Sequence, residues 1–137
     1  MISNRDRILL VLMAMGVLAL LVAVSLVEPD HRRLGTHQKF GFPPCTFRAL
    51  FDKPCPSCGM TTAWAHLVRG ELADALLANV GGTILAVLAV AAVPWLIVSA
   101  WRGRWLLWTP GGRIMACGAS LIMLITLVDW VFRLVGK

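Results

Sequence analysis

Residues 8–27 read ILLVLMAMGVLALLVAVSLV, twenty residues in succession without a charged side chain. At a rise of about 1.5 Å per residue, a helix of this length measures about 30 Å, the thickness of the hydrocarbon core of a bilayer. Arg5 and Arg7 precede the stretch, where basic side chains can anchor a helix to lipid headgroups. A secretory signal peptide, the alternative, would have an apolar region of about 7–15 residues, so the stretch favours a transmembrane helix.

Two further apolar stretches, at residues 83–101 and 114–132, are also long enough to cross a membrane. Pro94 lies inside the first of them, where neighbouring helices can satisfy the carbonyl group that a proline leaves free. Trp101 marks the end of that stretch, as in the aromatic belt at a membrane interface. The pattern predicts an all-α integral membrane protein with three transmembrane helices, in one membrane domain over residues 1–137.

The composition fits a chain that lies in lipid. Apolar residues make up 58% of the chain and charged residues 15%, against about 25% charged residues in a soluble domain. In a soluble protein the net charge of +6 would suggest nucleic acid as a partner. Here the basic residues lie at the ends of apolar stretches, so we expect the lipid bilayer as the partner, and no nucleic acid. Other subunits of a larger membrane assembly are a further candidate partner.

The segment between the first two spans, residues 28–82, divides into a loop and one predicted helix. Glycine and proline punctuate residues 28–53, which is typical of a loop. Residues 61–79 show the helical spacing of apolar side chains, but Arg69 and Asp74 make them too polar to cross a bilayer. We therefore predict one interfacial amphipathic helix that lies along the membrane surface. Its apolar face comprises Trp64, Leu67, Val68, Leu72, Ala75 and Leu76.

Two polar residues of this predicted helix, Glu71 and Asn79, fall within its apolar sector. Buried polar groups are hydrogen-bonded in folded proteins, so both side chains should need internal partners. We expect the glycine pair Gly81-Gly82 to break or kink the chain just after the helix ends.

Three spans place the two ends of the protein on opposite sides of the membrane. The amino terminus and the loop at residues 102–113 share one side, and the segment at residues 28–82 shares the other with the carboxyl terminus. Asp129 then lies on the side of that segment, where we expect it to pair with Arg133. Cys117 starts the third span at its other end, where a small packing residue is the simplest interpretation.

Three cysteines carry the chemistry that the sequence offers: Cys45, Cys55 and Cys58, which lie within fourteen residues. Two thiols separated by two residues can chelate one metal ion because the chain between them turns tightly, and the form CPSCG is common in zinc knuckles. A tetrahedral site needs a fourth ligand, for which His66 is the candidate, with Asp52 or water as alternatives. We predict a metal site on these residues, with zinc as the expected metal.

Three other interpretations of the cysteines remain open. Cys55 and Cys58 can form the reactive pair of a membrane thiol–disulfide protein. Cys45 can form a structural disulfide with either of them, or all three can be packed free thiols. His31 and His37 are expected to be solvated or to face lipid headgroups. The sequence has no nucleophile–base pair, P-loop or dinucleotide-binding motif, so it gives little support for an enzyme.

The cysteine segment resembles a family of small bacterial membrane proteins, the domain-of-unknown-function family 2752. The features that carry the resemblance are Cys45, the run CPSCGMT at residues 55–61, Gly70-Glu71 and Asn79. The chain departs from the family pattern at Thr62, where the family often has Arg, and at Val80, where it often has Pro. The resemblance implies a location in the inner or cytoplasmic membrane of a bacterium, and it implies no established activity.

Overall fold

A computed structural model describes residues 2–30, 34–107, 109 and 111–135 of the chain. Its helices are α1 (Asn4–Ser25), a 3-10 helix (Thr36–Phe40), α2 (Thr46–Phe51), α3 (Met60–Leu67), α4 (Leu72–Ala78), α5 (Val80–Arg102) and α6 (Gly112–Val135). The described residues contain no β-strand, which confirms the all-α fold class expected from the sequence.

Three of the helices, α1, α5 and α6, have the length and composition of membrane spans. They contain 22, 23 and 24 residues, and the mean hydropathies of their most apolar windows are 2.9, 2.3 and 2.0. At about 1.5 Å per residue the helices are about 33–36 Å long, enough to cross the hydrocarbon core. Large apolar side chains are exposed along all three, as contact with lipid requires. The protein is therefore a membrane protein, as predicted.

All three helices begin before the predicted boundaries of their spans, and polar side chains cap two of them. α1 begins at Asn4, and the hydroxyl of Ser3 accepts a hydrogen bond from the backbone N–H three residues later (3.2 Å). α5 begins at Val80, and the Oδ1 atom of Asn79 accepts from the N–H of Gly82 (2.7 Å). Each cap satisfies one of the backbone donors that the first turn of a helix leaves without a partner.

α1 and α5 pack antiparallel, with the start of α1 beside the end of α5. The N–H of Ile2 donates to the carbonyl of Gly103 (2.8 Å), and Nε of Arg7 donates to the carbonyl of Ala100 (2.6 Å). The buried side chains between the two helices are Leu10, Ala14, Leu96 and Ala100. The amino terminus and the loop after α5 therefore lie at the same end of the bundle.

The glycine pair does not break the chain, contrary to the expectation from the sequence. Gly81 and Gly82 lie in the first turn of α5, and both are buried. A Cβ atom at Gly81 would collide with the side chain of Thr126 on α6, and one at Gly82 would lie 2.9 Å from Cα of Met60. The absence of side chains at these two positions lets α6 and α3 approach the backbone of α5 closely. Contacts through small residues of this kind are typical of helix packing in membranes.

The single amphipathic helix predicted over residues 61–79 is also not observed. The chain forms α3 and α4, separated by a turn in which Gly70 has a φ of +81°. In that turn the N–H of Gly70 donates to the carbonyl of Leu67 (2.9 Å), and the N–H of Glu71 donates to the carbonyl of His66 (3.0 Å). Only glycine adopts such a φ at little cost, so Gly70 ends α3 and turns the chain toward α4.

The turn changes which residues face inward. The buried residues between α3 and α4 are Ala63, Ala75 and Ala78, with Leu67 packed against them. Leu72 and Leu76, which were expected on the apolar face, are 51% and 41% exposed. The prediction was wrong because a break at Gly70 removes the continuous helical register on which it depended.

Arg69 joins this turn to the end of α1. Its guanidinium group donates to the carbonyl of Ser25 (3.0 Å), the last residue of α1, to that of Val27 (2.9 Å) just beyond it, and to that of Ala65 (2.8 Å). The last carbonyl groups of a helix have no partner within the helix, so a cation that donates hydrogen bonds suits this position. The cysteine segment is thus held against α1 from one side.

Candidate metal centre

Two of the three cysteines lie beside the start of a short helix, and the third, Cys55, lies in the turn between these helices. Cys45 precedes α2, and Cys58 is separated from the start of α3 by one glycine. Between them, the N–H of Cys58 donates to the carbonyl of Cys55 (3.0 Å), which closes the turn of the CPSC run. Gly59 then has a φ of +91° and leads the chain into α3. Proline suits the second position of such a turn, and glycine suits the left-handed conformation that follows.

This arrangement brings the three thiols together. The Sγ atoms of Cys45, Cys55 and Cys58 all lie within 4.8 Å of one another, and those of Cys55 and Cys58 are 3.1 Å apart. All three carry free thiols. A tetrahedral zinc ion with Zn–S bonds of about 2.3 Å holds its sulfur atoms about 3.8 Å apart. The three sulfur atoms can reach that geometry through small changes in side-chain torsion.

The surroundings of two of the thiols change their acidity in opposite directions. The backbone N–H of Arg48 lowers the pKa of Cys45, because it donates a hydrogen bond to the thiolate. Burial raises the pKa of Cys58 to about 12, and the neighbouring Cys55 adds to the increase. A thiolate at Cys58 is therefore unfavourable unless a cation lies beside it.

A pocket of about 500 Å³ opens onto this cluster. Cys45 and Cys58 both line it, so a small molecule or ion in the pocket can reach their sulfur atoms. The polar residues that line the rest of it are His37, Gln38, Arg48 and Asp52. Asp52, one of the expected alternatives for a fourth ligand, therefore borders the same space as two of the thiols.

His37 is a residue of this pocket that the sequence did not single out. It lies in the 3-10 helix, eight residues before Cys45, and nothing in its spacing indicates an approach to the cysteines. Its place in the pocket follows from a buried hydrogen bond between the hydroxyl groups of Thr36 and Thr62 (2.8 Å), which fixes the 3-10 helix against α3. Thr62 is thus a residue of the fold's interior. His31 lies outside the described residues.

His66 is not part of the group of mutually close thiols. Its Nδ1 atom lies 2.7 Å from Oε2 of Glu71, and its ring forms a separate group with Glu71 and Asp74. The Gly70 turn accounts for this pairing, since it folds the start of α4 back toward the end of α3. The side chain of Glu71 is 47% exposed, so it pairs with His66 at the surface, whereas the sequence had placed it in an apolar sector.

The segment that contains the thiols matches a known protein family. Residues 45–93 match the model of a family described as a protein of unknown function, DUF2752. The match covers 49 of the 137 residues. The match confirms the resemblance seen in the sequence, and it extends from α2 into α5. No curated protein and no solved structure matches the chain.

Asn79, which lies within the matched residues, connects the CPSC turn to α5. The side chain is fully buried, and its Nδ2 atom donates to the carbonyls of Pro56 (3.0 Å) and Cys58 (3.2 Å). With the cap that it forms on α5, this residue has hydrogen bonds at both ends of its amide, as expected for a buried polar group.

α6, which lies outside the matched residues, also contacts the motif. Nη1 of Arg133 donates to the carbonyl of Cys58 (2.9 Å), and Nε1 of Trp130 donates to the carbonyl of Pro54 (2.7 Å). Asp129 pairs with Arg133 at 3.0 Å, as predicted. Cys117 is exposed on the same helix, sixteen residues before Arg133, which is about 24 Å along the helix axis. Cys117 therefore lies apart from the other three thiols.

Proposed function

We propose that this membrane protein binds a divalent metal ion through Cys45, Cys55 and Cys58, with zinc as the metal. The observation that carries the proposal is the convergence of three free thiols within 4.8 Å of one another. Thiolate is the ligand that a soft or borderline metal ion such as zinc prefers. The acidity of the site gives further support, because a bound cation stabilises the Cys58 thiolate that burial makes unfavourable.

His66 is left out of the proposed ligand set, since its ring pairs with Glu71. The fourth position faces the pocket beside Cys45 and Cys58, where water or the carboxylate of Asp52 can complete a tetrahedron. Three protein ligands and one exchangeable position are typical of zinc sites that stay open to solvent. The family resemblance supports a location in the cytoplasmic membrane of a bacterium.

A second function, thiol–disulfide exchange, is favoured by one separate observation. The Sγ atoms of Cys55 and Cys58 are 3.1 Å apart, so a small movement would allow them to form a disulfide. In such a reaction the two thiols give two electrons and two protons to the disulfide of a partner, which is reduced to two thiols. Counting free thiols with and without reductant tests this function directly.

Metal analysis of the purified protein tests the proposed function. The protein is loaded with zinc in detergent, passed over a desalting column, and analysed for metal per chain. We expect about one zinc per chain in the wild type and in Cys117→Ser, which changes the cysteine outside the cluster. Most of the bound zinc should be lost in each of three single variants, Cys45→Ser, Cys55→Ser and Cys58→Ser. Equal zinc in the wild type and in the triple Cys→Ser variant would contradict the proposal.

A further inference from the structure

Side chains that lie far away in sequence donate hydrogen bonds to the backbone of the CPSC turn and of the proline before it. The carbonyls of Pro54, Pro56 and Cys58 all accept hydrogen bonds from such side chains. Trp130 binds the first of them, and Arg133 shares the other two with Asn79, which lies within the residues that match the family model. α6 therefore supplies donors to each of the three carbonyls.

These hydrogen bonds restrict the backbone on either side of the two thiols of the turn. In a trans peptide the C=O and N–H groups point in opposite directions, so a fixed carbonyl also fixes the orientation of the next N–H group. Arg133 and Asn79 bind the carbonyls of Pro56 and Cys58, which lie on either side of Ser57. The peptide planes between Pro56 and Gly59 are thus oriented, and with them the Cα–Cβ bond of Cys58.

Arg133 is itself held in place. Its Nε atom lies 3.0 Å from Oδ2 of Asp129, and the two side chains are 20% and 17% exposed. Its Nη1 atom also contacts the carbonyl of Ala78 at the end of α4 (3.4 Å). A half-buried ion pair near the end of a membrane helix is costly to maintain, which favours a specific role for it.

Among the described helices, α6 packs its backbone closely against α5, and its other contacts are made by side chains near its end, such as the ring of Trp130 with that of Phe47 on α2 (centroids 6.4 Å apart). Lipid is as apolar as the side chains of α6, so burial of apolar surface gives little drive for this helix to join the bundle. The hydrogen bonds of Trp130 and Arg133 to the CPSC turn therefore form much of the polar attachment of α6 at this end of the protein.

We infer that Arg133, oriented by Asp129, is a positioning residue for the thiol cluster, and that metal binding at the cluster and docking of α6 stabilise each other. This inference rests on the proposed metal function. The coupling is reciprocal, because whatever factor α6 docking adds to metal affinity, metal must add to α6 docking. A change in metal binding then changes the docking of α6, and a change in that docking changes metal affinity.

The first test measures zinc affinity by competition with a chromophoric chelator in detergent. We expect Arg133→Gln to weaken zinc binding about 10–100-fold, the range found when residues that orient metal ligands are removed. Arg133→Lys keeps the charge but loses the paired donors, so its zinc affinity should fall between those of the wild type and Arg133→Gln. Arg7→Gln is the matched control: Arg7 also donates to backbone carbonyls, but at the opposite end of the bundle, and its loss should leave zinc affinity unchanged.

The second test measures docking of α6 through the indole N–H of Trp130, by NMR hydrogen exchange with and without zinc. Trp95 supplies an internal control, because its Nε1 also donates to a backbone carbonyl, that of Leu106, at 2.7 Å. We expect zinc to slow exchange at Trp130 and to leave Trp95 unchanged, and the difference should disappear in Arg133→Gln.

The outcomes separate the inference from the proposed function. If the wild type binds no zinc, the proposed function fails and the inference fails with it. If the wild type binds zinc but Arg133→Gln binds it as tightly, or if Trp130 exchanges at the same rate with and without zinc, only the inference is overturned. A loss of zinc in Arg7→Gln equal to that in Arg133→Gln would also overturn it, since general destabilisation would then explain both.

Discussion

At the residue scale, Cys45 and Cys58 border the same pocket but meet different surroundings. A backbone donor favours the thiolate of Cys45, whereas burial and the neighbouring Cys55 favour the protonated form of Cys58. The more exposed thiol is therefore the easier one for an incoming metal ion to bind first. Cys58 gives up its proton only when the metal is close enough to replace it.

This difference predicts how zinc affinity depends on pH. Below its pKa each thiol must release a proton before it binds metal, so affinity should rise by up to about tenfold per pH unit for each thiol still protonated. Cys58, with its pKa at about 12, contributes across the whole range from pH 6 to pH 8. Competition titrations at pH 6, 7 and 8 measure the slope. An affinity independent of pH would contradict thiolate ligation.

In the metal-free protein, the raised pKa of Cys58 makes stability fall as the pH increases, whereas zinc affinity rises. The raised pKa of Cys58 means that the folded chain binds this proton more tightly than the unfolded chain does, whose thiol has the ordinary value of 9.0. The resulting stability is fully present below pH 9 and is lost as the pH rises toward about 12. Thermal melts of metal-free protein over pH 8–10 should therefore show a fall in melting temperature in the wild type and no such fall in Cys58→Ser. A wild-type melting temperature that stays constant over this pH range would argue against burial of the Cys58 thiol.

His66 provides a test of the ligand set. Because its ring pairs with Glu71, His66→Ala should leave zinc affinity unchanged. The loss of the exposed pair should cost about 0–1 kcal/mol of stability. Asp52→Ala is the matched comparison on the pocket side, and it should weaken zinc binding if the carboxylate supplies the fourth ligand. A large loss of affinity in His66→Ala would restore the ligand set first expected from the sequence.

At the element scale, helix packing depends on small residues at a few positions. Gly81→Ala should separate α5 from α6, because the added methyl group would collide with Thr126. Overpacking of this kind typically costs about 1–3 kcal/mol. Gly118→Ala on α6 is the control, since a Cβ atom there would meet nothing within 4 Å. Thermal stability in detergent measures both, and equal melting temperatures for the two variants would contradict the close approach.

The sequence predicted some elements and not others, for physical reasons that differ. Long uncharged stretches predict membrane spans well, because the cost of placing a charge in lipid leaves few other solutions. The spacing of Cys55 and Cys58 also predicted their convergence, since two residues between them fix a tight turn. The helix over 61–79 failed because periodicity does not reveal that Gly70 adopts a left-handed conformation. The presence of His37 in the pocket beside the cluster depends on a tertiary contact, Thr36 with Thr62, which no local pattern encodes.

At the scale of the whole molecule, the three spans place the thiol cluster at one end of the bundle. The N–H of Ile2 contacts Gly103 at one end, and Arg133 contacts the CPSC turn at the other. Cys55 and the end of α6 should therefore lie on one side of the membrane, opposite the amino terminus and Arg104. Lys137, which the three-span arrangement places with Cys55, lies outside the described residues.

Accessibility mapping tests this topology. Single cysteines introduced at Ser3 and Arg104, in a variant whose native cysteines are replaced, should react with a membrane-impermeant maleimide from the same side of sealed vesicles. A cysteine retained at position 55 should react from the opposite side. Labelling of Cys55 and the Arg104→Cys variant from one side would contradict three spans.

The central claim is that three thiolates of one chain hold one metal ion. X-ray absorption spectroscopy at the zinc edge, on protein loaded with one equivalent of zinc, tests it most directly because it counts the atoms bound to the metal. We expect three sulfur atoms at about 2.3 Å and one oxygen or nitrogen atom at about 2.0–2.2 Å. A zinc ion surrounded by oxygen and nitrogen atoms alone would contradict it.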